Sequence, residues 1–305
     1  MGSALPLGFG LPVSGAWATP GSMVHVARRA EELGYSSLWS FQRVLYPAEG
    51  SLDPAWDDAH NPAKRSARDA SYQQVHDPLL SLAHVASHTE RIRLGTATIC
   101  APFTPPALLA KSVVTMDHLS GGRFTLGVGI GWMPHEYAAA GVPRERRGPR
   151  MEEYLRCLDA LLTQDPVEFA GEFYTVPPSQ TGPRPVQSPR PPVLVGGTAP
   201  AALRRAGRLA DGWIPSTRQS LDEVAEGARI VREGAAEAGR DPDAVEVLLR
   251  VVVQPDDDLA QVRDDLQGLA AYGVTEAFVD LNFARGTTAA GAERVLDALA
   301  PAAGD

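Results

Sequence analysis

Cysteine is nearly missing from this sequence, and so are a block of basic residues and an apolar run of membrane length. The two cysteines, Cys100 and Cys157, stand far apart and without metal-ligand spacing. Neither a disulfide framework nor a zinc site is therefore expected, and such usage fits a reducing cytoplasm. Lys and Arg number 28 against 37 Asp and Glu, a formal charge of −9 with no Lys/Arg-rich run. That balance argues against nucleic acid or an anionic membrane surface as a partner. No basic stretch followed by a long apolar one opens the chain, so neither secretion nor membrane insertion is expected. Gly-x-Ser-x-Gly is missing, and no Ser/His/Asp arrangement presents itself. His84 and His88 have the spacing of a metal pair on a helix, yet no Glu follows His84 and no third ligand is evident, so no metal site is assigned.

What is present is a regular alternation. Leu7 to Val13 reads as a strand, followed by a helix that Thr19-Pro20 caps and Gly34 ends. Tyr35 to Phe41 is the second strand. A helix from Pro78 to His88 leads to a third strand, Ile92 to Ile99, a helix from Ala107 to Leu119, and a fourth strand, Phe124 to Val128. A helix spans Arg144 to Leu162. Strands at Pro192 to Val195, Gly212 to Pro215, Val245 to Val253 and Ala277 to Leu281 then alternate with helices at Ala199 to Leu209, Leu221 to Ala238, Leu259 to Tyr272 and Ala292 to Leu299.

Two stretches break the rhythm. One, at about 44–76, is rich in Pro, Asp and Ser and too long for an ordinary connection, so it reads as a lid. The other, about 164–190, carries a hairpin-like Val167 to Tyr174. Continuous apolar strands joined by helices indicate a parallel sheet covered on its outer face. Eight such units over 305 residues point to an α/β fold, a single (β/α)8 TIM barrel with insertions after strand two and before strand five. A doubly wound open sheet is the alternative, but Gly127-Val128-Gly129-Ile130-Gly131 is not the dinucleotide fingerprint.

In a barrel the working residues sit at the C-terminal strand ends. The strand-five exit, Gly196-Gly197-Thr198, combines close backbone approach with a helix start that Thr198 can cap. It suits a phosphate or is simply a tight turn. Gly129 and Gly131, on every second residue of the strand-four exit, let something flat approach the backbone. Trp132 could wall that space or pack at the rim. Gln42 and Arg43 end strand two. Arg43 can bind an anion but cannot act as a base, or it can pair with a nearby carboxylate. His135 lies on the strand-four loop. Trp17, Tyr46 and Phe283 offer an organic substrate aromatic surface.

Together these stretches resemble the luciferase-like monooxygenase superfamily, in its branch of coenzyme F420-dependent oxidoreductases. The likeness is carried by Leu7-Gly8-Phe9, by the run from Leu33 to Trp39, by Arg91 to Thr96, and by Asp117 to Arg123. Gly127 to Trp132, Val195 to Thr198 and Ala210 to Trp213 complete it. The resemblance implies a deazaflavin ring at the strand C-termini, its phosphate on Gly196 and Gly197, and a non-prolyl cis peptide at Ala97-Thr98. Catalytic roles are expected among Arg43, Gln42, Trp132 and His135. Many relatives carry Asp-His where Gln42 and Arg43 stand here. Without that base, hydride delivery to a C=C or C=N bond is easier to support than alcohol oxidation. The expectation is a cytoplasmic, homodimeric F420-dependent reductase of a small molecule. The alternatives are an FMN-dependent monooxygenase and a non-catalytic ligand-binding barrel.

Overall fold

The computed structural model describes residues 5–48, 51, 73–254, 256–284 and 286–301. Strands β1 (Leu7–Gly10), β2 (Ser37–Ser40), β3 (Arg93–Thr96), β4 (Ile99–Cys100) and β5 (Phe124–Gly129) come first. An antiparallel hairpin of β6 (Val167–Ala170) and β7 (Thr175–Ser179) stands apart. Strands β8 (Val193–Gly196), β9 (Gly212–Ile214), β10 (Glu246–Val252) and β11 (Glu276–Asp280) follow. All neighbours outside the hairpin run parallel, in the order β3, β2, β1, β11, β10, β9, β8, β5, and a β3–β5 pairing closes the ring. The closed barrel of eight parallel staves is the expected fold. β4 continues the third stave beyond a break.

Around it lie α1 (Pro20–Glu32), α2 (Pro78–Ala86), α3 (Pro106–Ser120), α4 (Pro134–Ala139), α5 (Arg147–Thr163), α6 (Pro200–Leu209), α7 (Leu221–Glu237), α8 (Leu259–Gly268) and α9 (Ala289–Ala298). Among the described residues no helix is long and apolar enough to cross a membrane. Thr19 caps α1 as expected, its Oγ1 accepting from the Ser22 N–H at 3.1 Å while Ser22 Oγ accepts from the Thr19 N–H at 2.8 Å. Thr198 does not cap α6. The cap position falls one residue later, at Ala199, because Pro200 opens the helix and Ala202 and Leu203 donate to the Ala199 carbonyl. α4 was not legible, since six residues give too little periodicity to read. The segment read as a lid lies largely outside the described residues. The hairpin before the fifth stave is present, with a register shift between Val167 and Phe169.

Two apolar clusters follow from the two faces of each strand. The larger fills the layer between strands and helices. The smaller lies inside the ring, from Trp39, Ala97, Leu194, Ile214, Leu248 and Phe278. Trp39 occupies space that only glycine at position 95 leaves open, since a Cβ there would stand 2.2 Å from its ring. Its Nε1 donates to Ser37 Oγ at 2.7 Å.

At the N-terminal end of the barrel Glu276 takes bonds from Ser36 and Ser37 and pairs with Arg93. Burial pushes the nearby Glu246 carboxyl up, Arg93 opposes the shift, and Glu276 and Asp211 add to it. The folded state thus holds this proton more tightly than the unfolded chain. The associated stability is complete below about pH 4 and is lost as pH rises through the folded pKa. Glu246→Gln, a mimic of the protonated group, is expected to raise the thermal midpoint at pH 7 and leave it unchanged near pH 4. An equal shift at both pH values would mean a packing effect instead.

Candidate active site

The site begins with a misfit between two staves. β3 pairs with β5 at Gly95 and Thr125, and β4 pairs with β5 at Ile99 and Val128. Four residues advance on one strand against three on the other, so the third stave must kink outward from the ladder. The kink lies at Ala97-Thr98, whose peptide bond is cis, as the family resemblance implied. Thr96 bridges the gap: its Oγ1 accepts from the Gly127 N–H at 2.9 Å and donates to the Gly127 carbonyl at 2.8 Å.

The neighbouring stave clamps the kink. Ala97 N–H donates to the Ser40 carbonyl at 2.6 Å, and Gln42 N–H donates to the Thr98 carbonyl at 3.2 Å. The Gln42 side-chain oxygen accepts from Cys100 N–H at 2.9 Å. Glycine at position 127 is needed for the chain itself, because a Cβ there would lie 1.8 Å from the Thr96 carbonyl oxygen. Gly131 turns in the left-handed region at φ 76°, with Cys100 Sγ 2.5 Å from where a Cβ would stand. The spaced glycines therefore make room first for the protein's own kinked strand. Burial, with Glu136 adding, pushes the Cys100 thiol far up, so it stays protonated.

A cavity of about 440 Å³ opens at this end of the barrel. It brings together all eight residues expected to hold a cofactor: Ala97, Thr98, Gly129, Gly131, Trp132, Gly196, Gly197 and Thr198. Phe283 joins them, as do Ser216, Thr217, Arg218 and Arg250. At the strand-five exit the Gly197 carbonyl accepts from Trp213 Nε1 at 2.8 Å, which fixes the turn before α6. The backbone N–H groups of Thr198 and Ala199 have no protein acceptor among the described residues. They stand at the positive end of a ten-residue helix, a suitable seat for an anion.

Arg250 is the residue that reading the sequence missed. It comes from inside β10, where Leu248, Arg250 and Val252 alternate with residues facing the helices. The guanidinium donates to the Ala97 carbonyl and pairs with Asp280 at 3.3 Å. It also lies over the rings of Phe283, Phe278 and Phe41, at 4.7, 5.3 and 5.7 Å. Asp280 Oδ1 in turn accepts from Asn282 N–H and Nδ2 at 2.9 and 2.8 Å. Asn282 Oδ1 takes the Val13 and Ser14 N–H groups at 3.0 and 3.1 Å. The available signal was a lone Arg within an otherwise apolar strand, Val247-Leu248-Leu249-Arg250-Val251-Val252.

Of the two readings of Arg43, anion binding or a pair with a nearby carboxylate, the structure shows the pair, to Glu136, with Nη1 to Oε2 3.1 Å and the side chains only 7% and 6% exposed. The Arg43 guanidinium stacks on the Trp132 ring at 4.6 Å, and Arg43 is not among the cavity's lining residues. The carboxylate won because it is buried and already fixed by the Val44 and Leu45 N–H groups at 2.7 and 3.3 Å. His135 Nε2 meets the Ser51 carbonyl at 3.1 Å. Trp17 is buried in the outer core, and Tyr46 packs against that core without lining the cavity. Gln42 acts on the backbone of the kink.

The partner of a buried ion pair that also anchors backbone donors is the costlier one to remove. Glu136→Ala removes the buried carboxylate that faces Arg43 and deprives the Val44 and Leu45 N–H groups of their acceptor, and is expected to cost about 3–5 kcal/mol. Arg43→Ala leaves Glu136 those two donors and should cost about half as much. Urea unfolding of both variants checks the order; equal costs would refute the asymmetry.

A family model for luciferase-like monooxygenases matches residues 2–301. An uncharacterised protein of Mycobacterium tuberculosis is 37% identical over 253 residues, 82% of this chain and 83% of that one. The FMNH2-dependent dimethylsulfone monooxygenase of Pseudomonas putida is 32% identical over 192 residues, 62% of this chain and 52% of that one. An F420-dependent secondary alcohol dehydrogenase, solved with an F420-acetone adduct, has the same fold at TM-score 0.77 and 16% identity, over 97% of this chain and 99% of that one. The family match runs through every stave of the barrel and through the kinked third strand at its mouth, and the chain belongs to the luciferase-like monooxygenase family.

Proposed function

We propose that this oxidoreductase is an F420-dependent reductase, delivering hydride from reduced coenzyme F420 to a C=C or C=N bond of a small organic substrate. The observation that carries the direction of transfer is the exit of β2. Gln42 is committed to the Cys100 N–H and Arg43 to Glu136, so neither takes a proton from a hydroxyl.

The cavity fits a flat, anionic group. Gly196, Gly197 and Thr198 would hold its phosphate, the Ala97-Thr98 peptide would support one ring face, and Trp132 would wall the other side. When bound, reduced deazaflavin supplies the hydride. Arg250, held by Asp280 and the Ala97 carbonyl, is a fixed cation facing the same space. It would stabilise negative charge that develops on the acceptor. Phe283 offers apolar contact to the substrate. Arg43 acts through Trp132 and is a positioning residue. The choice of deazaflavin draws support from the sequence resemblance and from an F420-dependent neighbour of the same fold. A second reading, an FMN-dependent monooxygenase, is favoured by the Pseudomonas relative.

The test is steady-state turnover of activated alkenes and imines with reduced F420. Arg250→Lys keeps the charge but not the planar fork that reaches both Ala97 and Asp280. It is expected to lower kcat by about 10- to 100-fold while F420 affinity falls far less. A wild-type enzyme that oxidises alcohols with F420 yet reduces none of the panel would overturn the reductase reading.

A further inference from the structure

A second cavity, of about 660 Å³, lies outside the barrel where α5, the β6–β7 hairpin and α6 meet. Its lining carries three carboxylates, and each is already committed. Glu152 takes Arg156 on one oxygen at 2.9 Å and Arg208 on the other at 3.0 Å. Glu153 accepts the N–H groups of Glu172, Phe173 and Tyr174 at 2.9, 2.7 and 2.7 Å, which fixes the tip of the hairpin. Glu172 holds Arg146.

Two further arginines of the lining, Arg204 and Arg205, form no ion pair with any described carboxylate. Arg204 is exposed at the rim. Arg205 is only 7% exposed. Its Nη1 reaches a single acceptor, the Gly148 carbonyl at 3.4 Å, and its buried Nε has no hydrogen-bond partner among the described residues. A guanidinium so deep with so little compensation is costly, because burial disfavours its charge. Burial indeed pulls its pKa down, with Glu152 only partly opposing. No fold requirement for it is evident, since Leu203 and Ala206 supply the apolar contacts of α6 on either side.

We propose that this cavity is an oxyanion site, in which Arg205 binds a phosphate or carboxylate group in its planar fork and Arg204 closes over it from the rim. The ligand class is a small metabolite bearing such a group. The site is separate from the barrel mouth, whose lining shares no residue with it.

Calorimetric titration with inorganic phosphate and with succinate, at constant ionic strength, reads the binding directly. The full chain should bind one of them saturably at this site, and Arg205→Met should weaken that binding by about tenfold or more. Arg205→Lys should recover only part of it, and Arg204→Gln should cost a few-fold. Arg205→Met should also keep or raise the thermal midpoint in chloride buffer, since an unpaired buried charge is replaced by an apolar chain of similar length. Loss of stability in every buffer with unchanged anion binding would make Arg205 structural and overturn the proposal. So would Arg218→Gln, altered at the mouth, abolishing a response that Arg205→Met leaves intact. Neither readout uses F420, FMN or turnover, so failure here leaves the reductase reading untouched, and the converse holds.

Discussion

The guanidinium of Arg250 is the point on which the mouth of this barrel depends. It donates to the carbonyl of Ala97 on the third stave and pairs with Asp280 on the last, spanning the ring. It also lies over three aromatic rings, those of Phe41, Phe278 and Phe283. The carboxylate that faces this charge is itself held in place. Asp280 is oriented by Asn282, and Asn282 by the backbone of Leu11, Val13 and Ser14, just past the end of the first stave. Even Gly10 belongs to this network, because a Cβ there would lie 2.6 Å from the Asp280 carboxylate.

The kink at Ala97-Thr98 is the second half of the same construction. One extra residue in the third stave pushes a peptide edge into the mouth, where Ser40 and Gln42 hold it from one side and Thr96 and Gly127 from the other. The mouth is thus a rigid surface made mainly of backbone: a peptide edge, a glycine pair and the start of a helix. On the proposed reading, such a surface would take a flat ring and its phosphate by shape and N–H groups. The charged pair Arg43 and Glu136 sits behind it and supports Trp132.

The barrel was legible because its strands are apolar runs of ordinary length, each followed by a helix with a cap or a proline at its start. The residues that line the mouth were legible because glycine pairs before a helix and alternating glycines at a strand end are local patterns. Arg250 was not, since its meaning depends on a carboxylate 30 positions on and a carbonyl more than 150 positions back, both brought close only by barrel closure. Which carboxylate Arg43 pairs with was not legible for the related reason that Glu136 reaches it across 93 residues. The split of the third stave was invisible because the register of β3 and β4 against β5 is a property of the pair, not of either strand.

The central claim is that this backbone-built mouth seats a deazaflavin. Fluorescence titration of the purified chain with oxidised coenzyme F420 and, in parallel, with FMN tests it most directly. The account predicts saturable F420 binding with one site per chain and at least about tenfold weaker binding of FMN. FMN bound more tightly than F420, or F420 not bound at all, would contradict it.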